Sequence, residues 1–507
     1  MGLLSGSMES LSIKGKSRRD SDASGSSRNP PDGNPDDTST LDKEEGNVLM
    51  SIISQYLMDV EREGALVIRS NDGVLLGVGG RSPGQSLRPG MDLSKIALPT
   101  FVLEPRSLLE RITDFFSHPE LIFGVGEEDD PKQRFLAVMT FYLSGWHIKP
   151  KGVKKPYNPV LGEFFRCTYF YADGSEGFYV AEQVSHHPPV SAFFYVSPKN
   201  RLLITGELKP KSKFLGNSAA TIMEGEDRIR LLDRPGDGDY VITMPNTYAR
   251  GILFGKMILE LGDLSTIANP QTGYTCDVEF KTKGWISGGY NVINGRVKGP
   301  GKTDVGEVTG HWHSTIEYGD KGAGKKQVMF DSASAKIAPK AVLPESEQEE
   351  YESRRLWAKL TTAINSADMY GATAAKTAVE DKQRELAKKR EVAGESLPPS
   401  RFFTHVEGDK WMPKIGVDTL PKDPIEMEEA VRKWIFGDHS PTLQGTPSRS
   451  PTTSTRSGAT QATPVPVPPV GPALATSSGV VSPPASSTAP GPPKSGPKYD
   501  HPVGTGS

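Results

Sequence analysis

His186-His187-Pro188-Pro189 places two imidazoles beside two prolines. Histidine ring N–H groups can donate hydrogen bonds to a phosphate, and charge on either partner strengthens such bonds. Adjacent residues of an extended chain point to opposite faces, so the two rings are not spaced to chelate one metal. Neither proline can donate to a β ladder, which predicts a strand end or a barrel rim. Spacing alone leaves two readings open: an anion-facing rim, or a pair of rings packed on a turn. Lys154-Lys155-Pro156-Tyr157-Asn158-Pro159 is a second constrained turn, held extended by its prolines. It either presents two ammonium groups and an amide at a fixed place or forms a solvated loop. Lys376, Glu380 and Arg384 follow at i, i+4 and i+8 on a predicted helix and share one face. Glu380 can pair with either cation. It can thereby orient both toward an anion, or simply lace an exposed helix with charge.

Other chemistry is missing. Gly301-Lys302-Thr303 has the ending of a phosphate-binding P-loop, but position 296, where the leading glycine belongs, is Arg296. A plain loop between strands is predicted there. No HExxH motif is present, and no paired carboxylates stand out for acid–base work. No metal site, no cofactor and no catalytic set follows from the residues, so the chain is not predicted to be an enzyme.

The elements that must carry these turns are legible in outline. Asn47 to Arg62 has apolar residues at 49, 52, 53, 56, 57 and 60, one face of a helix. ALVIR and VLLGV flank Asn71-Asp72-Gly73 and read as a hairpin. Residues 106–117 and 130–146 read as helices, the second started by Asp130-Pro131. From about 160 to 335, short runs rich in Val, Ile, Phe and Tyr alternate with Gly, Asn, Asp and Pro turns. They are FFRCTYFY, GFYVAEQV, SAFFYV, RLLITGEL, RIRLL, DYVITM, YTCDVEF, GGYNVI and HWHSTIEY. This texture predicts an antiparallel meander curled into a barrel, with room to enclose a cavity. After about 345 the pattern turns helical and charged, as in EQEEYESRRLWAKLTTAI and TAAKTAVEDKQRELAKKREVA.

Composition bounds the rest. The 507 residues suit one large domain with tails or two to three average ones. With 59 basic and 62 acidic side chains the net charge is −3, which gives no whole-chain pull toward nucleic acid or anionic membrane. Two separated cysteines, Cys167 and Cys276, make neither a disulfide framework nor a zinc site and predict a reducing cytosolic home. No apolar run reaches about 18 residues, and no signal-peptide core is seen. Residues 1–44 and 437–507 are polar, Ser- and Pro-rich and are expected to be disordered. Ser440-Pro441, Thr446-Pro447 and Ser450-Pro451 suit a proline-directed kinase or are a plain solvated tail.

Taken together, the motifs resemble one family. EQVSHHPPVSAF (182–193) resembles the signature of the oxysterol-binding-protein-related family. The likeness extends through LPTFVLEPRSLLER (98–111), GWHIKPKGVKKPYNPVLGEFF (145–165), PKSKFLGNSAA (210–220), RGILFGKMILELGD (250–263), VEFKTKGW (278–285), YESRRLW (351–357) and DKQRELAKKR (381–390). It implies an α+β fold: a near-complete antiparallel β-barrel enclosing a lipid tunnel, with an N-terminal helical lid and C-terminal helices. It also implies the segmentation. A disordered tail at 1–44 precedes the lid and an insertion at 45–97, then comes the lipid-binding domain at 98–436 and a tail at 437–507. The implied ligand at the mouth is phosphatidylinositol 4-phosphate. His186 and His187 would hold its 4-phosphate, Lys155 and Asn158 would contact phosphates, and Glu163 would lie nearby. Lys376 and Arg384 would complete the anion site, oriented by Glu380. Leu49, Ile52 and Ile53 would line the lid.

The resemblance is strongest to the short fungal branch that exchanges phosphatidylserine, where the segments at Leu98 and Lys211-Ser212 approach the serine lipid. Sterol is the alternative second lipid. Transient membrane surfaces, a monomer and contacts between endoplasmic reticulum and plasma membrane are implied likewise. One departure stands out. In that branch Ile-Ser-Gln runs almost directly into Leu-Arg-Pro-Gly, whereas here Tyr56 to Ser86 separate Ile53-Ser54-Gln55 from Leu87-Arg88-Pro89-Gly90. The insertion is either a lid extension with a hairpin or a retained intron.

Overall fold

The computed structural model describes residues 102–149, 152, 154–215, 217–251, 258–284, 288–439 and 441, with the backbone of 67–69 and 75–77. In the insertion, β1 (Val67–Arg69) and β2 (Leu75–Gly77) pair antiparallel across Asn71-Asp72-Gly73, as those turn residues predict. The two tails up to Gly46 and beyond Pro441, the lid residues Leu49, Ile52 and Ile53, and Leu98 lie outside the described residues.

β3 (Leu103–Ser107) pairs in parallel with β4 (Lys155–Tyr157). Between them run a short helix, α1 (Leu108–Arg111), and α2 (Pro131–Ser144). Asp130 caps α2 by accepting from the Lys132 amide at 2.8 Å, and Pro131 takes the first helical position. Ten of the fourteen α2 residues are buried, so this is a core helix rather than a surface one.

The meander follows as β5 (Phe164–Phe170), β6 (Glu176–His186), β7 (Pro189–Ser197), β8 (Leu202–Phe214), β9 (Ser218–Glu224), β10 (Asp227–Leu231), β11 (Asp239–Ile242), β12 (Asn246–Arg250), β13 (Ile258–Asn269), β14 (Tyr274–Lys281), β15 (Val292–Gly299), β16 (Thr303–His311), β17 (Thr315–Asp320), β18 (Gln327–Asp331) and β19 (Lys340–Ala341). Together they form one antiparallel sheet of fifteen strands, edged by β18 and β19. Between the long strands β8 and β13 the sheet splits into two paths, one through β10 and β11 and one through β9 and β12. The strands β9, β12, β13, β16, β18 and β19 escape the sequence reading. HWHSTIEY is not one strand, because it spans the turn from β16 to β17. Gly301-Lys302-Thr303 falls at the turn between β15 and β16, as predicted.

The sheet wraps around the segment 103–146. One apolar cluster joins Phe116, Phe135 and Met139 of that segment to Phe165 and Tyr179 near one edge and to Ile316 and Phe330 near the other. Phe116 stacks on Tyr195 at 4.6 Å between ring centres, and Tyr142 reaches Ser265 on β13 at 2.8 Å. Each fully buried Phe or Leu contributes roughly 1.5–3 kcal/mol. The interior is therefore filled at this end, where the strand count alone suggested a cavity. At the other end the inward positions differ. Leu208 and Leu261 point into the core, so strand alternation and register put Ser212, Thr221, Thr247 and Ala249 on the same inner face. These small side chains are only half-buried.

β6 and β7 are buried on both faces, which explains their nearly unbroken apolar run. Their outer face is covered by the chain after residue 397. There β20 (Phe403–Val406) and β21 (Lys410–Pro413) form a hairpin, and α6 (Pro424–Phe436) packs Met427, Val431 and Ile435 onto Val180 and Phe194. Before it come α3 (Ser353–Leu356), α4 (Ala358–Asn365) and the long α5 (Met369–Ala393).

Candidate anion-binding rim

β6 ends at His186 and β7 begins at Pro189, so the histidines and prolines form the hairpin turn, as the prolines predict. A register shift between Gln183 and Ser185 rotates the strand end. Ser191 Oγ donates to Gln183 Oε1 at 2.6 Å, and Gln183 Nε2 donates to the Ser185 carbonyl at 2.8 Å, which pins the shift. Sequence alternation predicted divergent rings, but His187 lies in the turn and not in the strand. Its Nε2 sits 3.1 Å from His186 Nδ1, with the rings edge to face at 4.6 Å.

The Lys155 turn is tied to this hairpin. The Gln183 amide donates to the Glu163 carbonyl at 2.8 Å, and the Gly162 amide donates back to the Gln183 carbonyl at 3.0 Å. The resemblance places Glu163 near the anion site, and the structure shows what its side chain holds. It is fully buried and takes four hydrogen bonds: from Ser107 Oγ (2.6 Å), Ser353 Oγ (2.8 Å), Trp357 Nε1 (2.9 Å) and the Val160 amide (3.0 Å). With its carboxylate so engaged, Glu163 is an anchor behind the rim and not part of its surface. Tyr157 packs against Trp357 at 5.3 Å and its hydroxyl meets Thr361 Oγ1 at 3.0 Å, which fixes the turn on α4. Asp368 joins α4 to α5: its amide donates to the Ala363 carbonyl at 2.8 Å, and its side chain caps α5 by accepting from the Gly371 amide at 2.9 Å. α5 then presents Lys376 and Glu380, joined by an ion pair of 2.8 Å.

Residues 190 positions apart in the chain are thereby brought into one electrostatic field. Lys155 keeps solvent-accessible surface, but the rim crowds its ammonium group. Desolvation first, and the Lys376 charge second, lower its pKa, against the opposing pull of Glu380. Burial and then His187 push His186 down to about 4, again opposed by Glu380, so its ring is neutral at pH 7. The rim thus holds Lys155, His186, His187, Lys376 and Glu380 together, with cations repelling one another. Asn158 is exposed just beyond β4. Arg384 is one turn past Glu380 but pairs with Asp381 at 2.5 Å rather than with Glu380. Lys211 and Ser212 are neighbours on β8 and so part company. Ser212 faces inward, while Lys211 lies exposed on the outer face, paired with Glu224 at 2.7 Å.

Sequence reasoning missed Glu182. Buried on the outer face of β6, it accepts from Ser400 Oγ (2.7 Å) and from the amides of Arg401 (2.7 Å) and Phe402 (2.8 Å). It clamps the C-terminal covering segment to the strand that carries His186. An acidic residue inside an otherwise apolar strand was the available signal.

A curved antiparallel sheet around a core segment, with a cationic rim at the end where the interior loosens, defines a lipid-binding barrel of the oxysterol-binding type. A family model described as oxysterol-binding protein matches residues 85–374. The chain belongs to the oxysterol-binding protein family, a family of lipid-binding and lipid-transfer proteins. It is 48% identical over 331 residues to "Oxysterol-binding protein homolog C23B6.01c" of Schizosaccharomyces pombe, covering 62% of this chain and 68% of that protein. It is 43% identical over 366 residues to "Oxysterol-binding protein homolog 7" of Saccharomyces cerevisiae, covering 71% and 82%. The solved structure of the Osh3 ORD in complex with PI(4)P, from Saccharomyces cerevisiae, superposes with a TM-score of 0.52 at 21% identity, covering 67% of this chain and 89% of that one. Among the described residues, no helix is long and apolar enough to cross a membrane.

Proposed function

We propose that this protein extracts phosphatidylinositol 4-phosphate from one membrane and exchanges it for phosphatidylserine at another, without covalent chemistry. The observation that carries the reading is the rim, where Lys155 and Lys376 repel each other and His186 is held neutral. A phosphorylated headgroup would relieve that repulsion and accept charge-assisted hydrogen bonds. Below the rim, the half-buried inner face at Ser212, Thr221, Thr247 and Ala249 offers a route for acyl chains. The structure of the similar Osh3 ORD was solved with PI(4)P, which fits this headgroup.

Phosphatidylserine as the second lipid rests on the motifs shared with the short fungal branch, with Leu98 and Ser212 beside the lipid. Sterol is the alternative. The protein works as a cytosolic monomer that touches membranes transiently, at contacts between endoplasmic reticulum and plasma membrane. A net charge of −3 suits weak, reversible docking. Mass spectrometry of lipid copurified with the protein tests the cargo: phosphatidylserine and phosphatidylinositol 4-phosphate are expected, and sterol alone would overturn the choice. Loss of phosphatidylserine extraction in Leu98→Asp, with folding intact, supports it further.

A lipid-sensing scaffold that binds partners through its Pro-rich tail is the rival from another class. Binding without transfer between liposomes would favour it. The enzyme reading has little to stand on. A Gly-x-Ser-x-Gly string, Gly80-Arg81-Ser82-Pro83-Gly84, falls outside the described residues. Incubation with either lipid is expected to yield no product.

A further inference from the structure

Asp227 opens β10, and the register of β10 on β8 places its side chain on the face it shares with Gly206. Two residues on, Ile229 lies opposite Ile204, and both belong to the inner core. Asp227 therefore points into the barrel, and it is 6% exposed. Beside it lies a cavity of about 20 Å³ lined by Phe116, Phe141, Tyr142, Phe193 and Ile229. The cavity sits in the seam between the 103–146 segment and the sheet. Gly206 makes the room, since a Cβ there would fall 2.2 Å from Asp227 Oδ1 and 2.5 Å from the Phe193 ring.

Among the described residues, Asp227 Oδ1 has no hydrogen-bond partner and no cation pairs with the carboxyl. The titratable groups near it are Tyr142 from α2 and Tyr179 from β6, both neutral phenols whose burial raises their pKa. The remaining elements bring phenyl and isoleucine side chains. A bare carboxylate in such surroundings is strongly disfavoured, and burial pushes Asp227 up to about 8. At neutral pH the group is chiefly the acid, with one proton to donate and oxygens to accept. The Tyr142 hydroxyl lies 2.8 Å from Ser265 Oγ and 3.3 Å from the Thr243 carbonyl, to which Ser265 Oγ also donates at 2.7 Å, so its one proton is engaged on that side and an oxygen lone pair is left to accept. One water needs roughly 10–15 Å³ and two or more polar partners.

We propose that the cavity beside Asp227 is a binding site for one uncharged oxygen ligand, a water molecule, held by the Asp227 carboxyl near the Tyr142 hydroxyl. The water joins the core segment to the sheet and satisfies the acid. The folded-state pKa of Asp227 lies above its unfolded value. The folded chain then binds more protons between about pH 4 and pH 8, and this group's stabilisation is lost as pH rises across that window.

The test uses the full chain, D227N and D227L, with diffraction and thermal melts. An ordered water within hydrogen-bond distance of residue 227 is expected in the parent and in D227N, and none in D227L. The melting temperature of the parent should fall more between pH 5 and pH 8 than that of D227N. Three results would overturn the proposal: a dry cavity with Asp227 bonded directly to a protein group, a lipid atom in place of the water, or parallel pH profiles of parent and D227N. Should D227N fail to fold, diffraction from the parent decides alone.

Discussion

Replacing Glu163 by Gln or by Leu separates an anchor from a ligand group. The carboxylate receives two obligate donors on Oε2, the Val160 amide at 3.0 Å and Trp357 Nε1 at 2.9 Å. On Oε1 it receives two hydroxyls, Ser107 at 2.6 Å and Ser353 at 2.8 Å, and these can turn. A glutamine whose carbonyl faces the obligate donors and whose amide faces the serines keeps both N–H donors paired, and only the Ser107 hydroxyl proton loses its acceptor. Ser353 even has a second acceptor, the Phe164 carbonyl at 3.2 Å. Gln then loses the charge contribution and this one hydroxyl bond, about 2–3 kcal/mol in all. Leu leaves two buried donors unpaired at about 1–3 kcal/mol each, or about 2–6 kcal/mol in all. Urea denaturation of both variants gives the two costs, and binding to phosphoinositide liposomes reads the rim. Gln is expected to keep binding. Leu is expected to lose it even under conditions where it is folded, because the Lys155 turn comes loose from α4. Equal costs for Gln and Leu, or lost binding in Gln with full stability, would refute the anchor role.

Two further predictions follow from neighbouring contacts. Glu182→Ala strands the Arg401 and Phe402 amides and is expected to cost about 2–4 kcal/mol; hydrogen exchange should show residues 400–436 opening first, and unchanged protection there would contradict the clamp. His186 has a folded pKa of about 4, below the ordinary 6.5, so the unfolded chain binds more protons between those values and stability falls as pH drops through that window. The ceiling is about 3 kcal/mol and the partly exposed ring realises less; His186→Asn should flatten the fall between pH 7 and pH 5 in urea midpoints, and identical slopes would contradict the assignment.

How much of this was legible varies from residue to residue. The runs FFRCTYFY, GFYVAEQV and SAFFYV announce their strands because they are rich in aromatic and β-branched residues and are buried on both faces. β13 was not legible, since Gly262 and the left-handed Asp263 interrupt its alternation. The α5 face carrying Lys376 and Glu380 follows from helical spacing. The meeting of that face with His186 does not, because the link runs through Glu163, Tyr157, Trp357 and Asp368, a chain of contacts with no sequence period. The histidine pair was misread for a local reason, since alternation holds only while the strand lasts and His187 is already in the turn. By contrast, the separation of Lys211 from Ser212 and the inward aim of Asp227 were both present in simple alternation along β8 and β10.

The rim is expected to hold a phosphorylated inositol headgroup for exchange. Liposome transfer with phosphatidylinositol 4-phosphate in one population and phosphatidylserine in the other tests it most directly, comparing the parent chain with His186→Ala/His187→Ala. His187 is exposed and His186 half-buried in the hairpin turn, so the double variant is expected to fold, and its thermal melt is recorded beside that of the parent. The parent is expected to move both lipids in opposite directions, and the double variant to lose extraction of phosphatidylinositol 4-phosphate. Undiminished extraction by a folded double variant would contradict the account.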